Sequence, residues 1–189
     1  MGFIGDIKTI KKKDPSARHW LEILLTYNGM HAIWIYRLTH MLWILKLKLI
    51  ARILSILARF LTGVEIHPAA KIGKHVVIDH GTGVVIGETS VIADNVLIYH
   101  GVTLGGTGNE RGEKRHPTIC SGAMLAAGSK VLGDIKVGAY SKIGANAVVL
   151  KDVPDFATAV GIPARIIKNE NSTEEVCSLY HKNGQKKHK

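Results

Sequence analysis

Between Ile66 and Val149, aliphatic residues recur every six positions, and this period constrains the fold more than any other feature of the chain. Ile66, Ile72, Ile78 and Val84 form a first run. The register then slips by two, and Ile86, Ile92, Ile98 and Leu104 resume it. After a polar excursion from Gly105 to Pro117, Ile119, Leu125, Val131, Val137, Ile143 and Val149 complete the ladder. Gly follows the aliphatic residue at Gly73, Gly87, Gly105, Gly138 and Gly144. One inward aliphatic per six residues, with small neighbours, is the signature of a hexapeptide β-helix. Its chain turns a corner every few residues, where Gly and Asn take positive φ at least cost. Each coil then buries the face of the next. Strands of a sandwich would alternate by two, with turns about 8–12 residues apart.

The segment before the ladder reads as helical. Residues 1–13 are short and basic, with Lys11, Lys12 and Lys13 in a row, and are expected to be mobile. Asp14-Pro15-Ser16 reads as a helix start, with Asp14 capping and Pro15 in the first turn, for a helix running to about Tyr27. Asn28-Gly29 breaks it. A second helix begins near Met30, with Trp34, Leu38, Met41 and Leu45 on one face. Residues 41–62 are strongly apolar, but Lys46, Lys48, Arg52 and Arg59 interrupt them. Central charges cost a spanning helix roughly 2.5–3.5 kcal/mol each, so no membrane span is expected. Helix packing within an oligomer is the favoured use of this face, and attachment to anionic lipid the alternative. Thr62-Gly63 closes the helices. The expected fold class is α+β: an N-terminal α-helical domain (1–63), a left-handed parallel β-helix (64–168) and a polar, basic tail (169–189), in which Ser172 and Glu175 have capping-box spacing.

The net charge of +10 is read as scattered surface lysines plus the basic tail, and no nucleic-acid partner is expected. Cys120 and Cys177 make no disulfide framework, and no apolar leader opens the chain, so a cytoplasmic protein is expected.

Histidines gather in the coils: His67, His75, His80, His100 and His116. His80 stands out because it lies at the register slip, in Ile78-Asp79-His80-Gly81-Thr82-Gly83. Glu65 precedes it by nearly one coil, and a carboxylate near an imidazole would fix its tautomer and raise its basicity. The alternative is a histidine hydrogen-bonded between coils. Arg115, closing the long excursion beside His116, has the fork geometry for a carboxylate; a solvated pair is its alternative. Asp14 and Asp79 are candidates for an ammonium group. The histidine and cysteine spacings match no tight metal motif, and no metal is expected. Neither a dinucleotide fingerprint nor a P-loop is present.

The runs Glu65 to Gly73 and Asp79 to Thr89 closely resemble serine O-acetyltransferases, as do Gly101 to Gly108, Arg115-His116-Pro117 and Gly161-Ile162-Pro163-Ala164-Arg165. Asp14-Pro15, His31 and Tyr36-Arg37 match that family's helical domain, so the resemblance covers roughly residues 14–168. It implies acetyl transfer from acetyl-CoA to the L-serine hydroxyl, giving O-acetyl-L-serine for L-cysteine synthesis. His80 would be the general base and Glu65 its carboxylate, where the family usually has aspartate. Arg115 would hold the substrate carboxylate, His116 would support serine binding, and Asp14 and Asp79 would receive its ammonium. L-cysteine would inhibit from the same pocket. Gly106, Ala127, Lys142 and Arg165 are the acetyl-CoA candidates, with Lys142 and Arg165 near its phosphates. The resemblance also implies a homotrimer with sites between subunits, or a hexamer where trimers pair; the short N-terminal region favours the trimer. The tail ends Lys187-His188-Lys189 rather than in isoleucine, which speaks against a cysteine synthase complex. Acetylation of a sugar or antibiotic hydroxyl, and a non-enzymatic trimeric scaffold, are the competing readings.

Overall fold

A computed structural model describes residues 3–14, 16–108 and 113–167. Among the described residues four helices come first: α1 (Phe3–Lys13), α2 (Trp20–Thr26), α3 (Asn28–Ile44) and α4 (Lys48–Thr62). Fifteen short strands follow in three sheets, again among the described residues. Numbered along the chain, sheet A holds β1 (Glu65–Ile66), β4 (Val85–Ile86), β7 (Thr103–Gly105), β10 (Lys130–Leu132) and β13 (Val148–Val149). Sheet B holds β2 (Lys71–Ile72), β5 (Val91–Ile92), β8 (Thr118–Ile119) and β11 (Lys136–Val137). Sheet C holds β3 (Val77–Ile78), β6 (Leu97–Ile98), β9 (Met124–Leu125), β12 (Lys142–Ile143), β14 (Thr158–Val160) and β15 (Arg165–Ile167). The chain visits A, B and C in turn, and the pairings are parallel except for β14 with β15. This is the β-helix that the period predicts.

The ladder residues fill the prism. Every one from Ile78 to Val149 is buried, as is Ile66, while Ile72 is half-buried. The slip of two has a structural meaning. Glu65 pairs with Val85, twenty residues on, whereas Val85 pairs with Thr103, eighteen on. The first coil absorbs its extra residues at the corner between β3 and β4, where His80 stands.

The helices differ from expectation at several points. Residues 3–13 form α1, whose Asp6 accepts hydrogen bonds from Arg37 Nη1 at 2.6 Å and Nη2 at 3.1 Å and from Trp34 Nε1 at 3.0 Å. Burial raises the Asp6 pKa, but these bonds outweigh it and hold the carboxyl below its usual range. Asp14 does not start a helix: its N–H ends α1 on the Ile10 carbonyl, and His19 caps α2 by accepting from Leu21 N. Pro15 and the tail's capping box lie outside the described residues. The break between the next helices falls at Tyr27, which ends α2 and precedes α3. Residues 41–62 are not one helix: the chain turns at Leu45–Leu47, with Lys46 at φ 64°.

The predicted α3 face is also wrong. Met30, Ile33 and Tyr36 pack inward, while Trp34 is half-buried and Leu38, Met41 and Leu45 are exposed. In α4 the small residues Ala51, Ser55, Ala58 and Thr62 face the core, and Ile53, Leu57, Phe60 and Leu61 face outward. Among the described helices none is long and apolar enough to cross a membrane. The helices are tied to the first coil by Tyr36 Oη donating to Ala70 O and Ser55 Oγ to Ile66 O, each 2.6 Å. Burial pushes the Tyr36 phenol up to about 12, so it stays a donor.

Candidate active site

The candidate side chains gather on two different corners of the prism. The first lies between sheets C and A. Gly29 opens α3 directly over β3: a Cβ there would come within 2.0 Å of the Ile78 carbonyl oxygen. Gly81, at φ 77°, turns beneath it, with the Gly29 nitrogen 3.6 Å from where its own Cβ would stand. This close approach brings the α2–α3 junction against Asp79 and His80. A cavity of about 330 Å³ results, lined by Asp14, Ser16, Tyr27, Gly29, Asp79 and His80 among others. The His80 side chain is 74% exposed, its Nε2 3.9 Å from Asp79 Oδ1, and its backbone is left-handed at φ 58°. Below it, the His100 ring stands edge-on at 5.9 Å between centroids.

Asp14 reaches this cavity from the link between α1 and α2. Its Oδ1 accepts from Ser16 N at 2.8 Å and Ser16 Oγ at 2.6 Å, and its Oδ2 from Tyr27 Oη at 2.5 Å. The Ser16 hydroxyl first, then Tyr27, hold its carboxyl below the usual range, and His80 adds a weaker pull in the same direction. Three sequence-predicted residues, Asp14, Asp79 and His80, therefore meet: one exposed imidazole beside two carboxylates.

The second corner lies between sheets A and B. Arg115 Nη2 pairs with Glu88 Oε2 at 2.9 Å. Thr89 Oγ1 accepts from the backbone N–H of Arg115 at 3.0 Å and of His116 at 3.1 Å, and it lies 2.8 Å from His116 Nδ1. The Thr89 N–H also donates to Nδ1, at 3.2 Å. Nδ1 is thus an acceptor, and the ring proton sits on Nε2. Burial first, then Arg115, lowers the His116 pKa and so favours the neutral imidazole. The ring occupies the space that a Cβ on Gly87 would need, 2.1 Å from Nε2.

Within one chain, sheet A separates the two corners, and the structure does not bring Arg115 and His116 to His80. Nor does Glu65 line the cavity: it projects from sheet A and pairs with Arg59 at 2.9 Å. Of the acetyl-CoA candidates, Gly106 packs on Arg115 at the second corner, while Ala127 lies on the first, in the coil below His100. Lys142 and Arg165 are exposed cations on sheet C, on β12 and β15, and suit phosphate groups. Beside them the first corner is lined by Gly101 and Gly128, whose carbonyls hold Lys130 Nζ at 2.5 and 2.9 Å. Among the described residues no cluster of three His, Cys, Asp or Glu is placed to hold a metal.

Sequence reasoning missed Ser16, Tyr27, Glu88, Thr89 and Lys130. For Glu88 and Thr89 a signal existed, since they sit on the corner one coil above Arg115-His116.

The bacterial transferase hexapeptide family (six repeats) matches residues 116–151. A curated serine acetyltransferase of Bacillus pumilus is 59% identical over 86% of this chain and 74% of its own length. The chain belongs to the serine acetyltransferases. Its reaction is accordingly the acetyl-CoA-dependent acetylation of serine. A solved serine acetyltransferase in complex with cysteine superposes with a TM-score of 0.84, at 52% identity, covering 86% of this chain and 67% of that one. One in complex with CoA gives 0.81 at 50% identity, covering 86% and 66%. The soybean serine acetyltransferase complexed with serine gives 0.84 at 45% identity, covering 87% and 67%. The present chain thus spans about three quarters of its curated relative and about two thirds of these solved chains.

Proposed function

We propose that this chain makes O-acetyl-L-serine with His80 as general base and Asp14 and Asp79 as the receptor for the substrate ammonium. The observation that carries the reading is the exposed His80 imidazole sharing one cavity with both carboxylates. A serine hydroxyl is a poor nucleophile until a base takes its proton during attack. An ammonium held by two carboxylates places that hydroxyl beside the ring, and the thioester then needs only to be presented to it. Lys142 and Arg165 would hold the phosphates of acetyl-CoA, with Gly106 and Ala127 along its path. Cysteine, which keeps the ammonium and carboxylate of serine, would occupy the same cavity and inhibit.

Arg115 and His116 complete the site from a neighbouring copy. Sheet A lies between the two corners, so copies arranged about a threefold axis with sheet A inward would bring the first corner of one against the second corner of the next. Glu65, on that sheet, would approach a neighbour's His80 in the same arrangement. The outward apolar side chains of α4 suit helix packing between copies. The free thiol of Cys120 suits a reducing cytoplasm.

The deciding experiment is serine-dependent thiol release from acetyl-CoA by wild type and His80→Ala, each with its oligomeric state measured. The variant should lose about a hundredfold or more in kcat with assembly intact. Activity near wild type would remove the base assignment.

A further inference from the structure

We infer that Tyr27 is a positioning residue for amino-acid binding, fixing the Asp14 carboxylate in the orientation that receives the substrate ammonium. The inference rests on the role proposed above for Asp14. Asp14 sits on a link between helices rather than within an element, so nothing regular in the backbone determines where its carboxylate points. Side-chain bonds do so instead. Ser16 holds Oδ1 from the same turn, a local contact that moves with Asp14. Tyr27 holds Oδ2 across thirteen residues, and so ties the Asp14 carboxylate to the α2–α3 junction.

Tyr27 is itself well fixed. It is the junction residue between α2 and α3, its N–H bonded to Ile23 O and its carbonyl accepting from Met30 and His31 N–H at 3.0 and 3.2 Å. Two residues later, Gly29 presses α3 onto Ile78, the residue before Asp79 and His80. A continuous path of contacts therefore runs from the coil that carries the imidazole, through Gly29 and Tyr27, to the carboxylate on the far wall of the cavity. After the Ser16 hydroxyl, the phenol also helps to keep its partner ionised. A hydrogen bond donated to a carboxylate favours the ionised form. Desolvation and Asp14 together keep the phenol itself protonated, so it remains a donor.

The test is Tyr27→Phe, which removes one oxygen and keeps the ring. Serine KM should rise about tenfold, with kcat and the acetyl-CoA KM within about twofold of wild type. The acidic limb of kcat/KM for serine should move to higher pH, because Asp14 loses a bond that favours its ionised form. Cysteine inhibition should weaken in parallel. An unchanged serine KM would overturn the inference. So would a fall in kcat at constant KM, or a parallel loss of all parameters with a lowered melting temperature, which would make Tyr27 a scaffold residue only. Asp14→Asn is measured alongside. If it leaves the serine KM unchanged, the Asp14 assignment fails with it; if Asp14→Asn weakens serine binding and Tyr27→Phe does not, only the positioning role falls.

Discussion

His80 and His67 show how one residue type is put to different uses by its corner. His80 stands open to solvent in a left-handed backbone conformation, at a corner enlarged by two residues. His67 packs edge-on against Trp43, and its Nδ1 accepts from Ala69 N at 3.1 Å. Burial first, then Arg52, pushes its pKa down to about 4. An unfolded histidine titrates near 6.5, so between these values the unfolded chain binds the additional proton. The His67 contribution to stability is full above about pH 6.5 and is lost as the pH falls toward 4. A His67→Asn variant, which keeps an acceptor two residues from Ala69 N but cannot titrate, should show a flatter melting temperature over that window. Melting curves from pH 7 to 4 check this. An unaltered pH slope would count against it.

At the scale of elements, the contact of α3 with β3 governs the site. Gly29→Ala would force the helix off Ile78, at a cost of about 1–3 kcal/mol by chemical denaturation. It should also raise the serine KM, because Tyr27 and Asp14 move with the helix; stability and KM unchanged together would show that the approach is not tight.

The elements also explain what could be read in advance. The coils were legible because each ladder position from Ile78 onward has one possible environment, the prism interior. The slip of two was legible for the same reason, and it pointed to His80. The helices were less so. α3 is apolar on nearly every side, so a stripe through Leu38 and Met41 fitted the helical period as well as the one through Ile33 and Tyr36 that the coil covers. The turn at Leu45–Leu47 carries no Gly, Pro or Asn to announce it. α1 is held in part by Asp6 meeting Arg37, a tie across thirty-one residues that no local pattern records. The Tyr27–Asp14 bond was hidden in the same way.

For the whole molecule, the proposed sharing of one site between two corners of neighbouring copies predicts complementation. His80→Ala and Arg115→Ala chains, each nearly inactive alone, should recover part of the wild-type activity when co-assembled, because some shared sites then receive both intact residues. Thiol release by the mixed assembly, compared with the separate variants, is the readout. No recovery in assemblies shown to contain both chains would mean that each copy completes its own site. The outward side chains of α4 predict in turn that Phe60→Glu with Leu61→Glu lowers the assembly mass in sedimentation velocity.

The widened corner has a consequence for how such a scaffold acquires chemistry. A prism face copies the spacing of the face beneath it, so a longer strand would spoil every pairing above and below. A corner has no such obligation. Two added residues there leave Val85 stacked on Thr103 and widen the turn that follows the imidazole. Novelty in this architecture is thus cheapest at the vertices, and grafting the same two-residue extension onto a lower coil is the direct way to ask whether a second reactive station can be built.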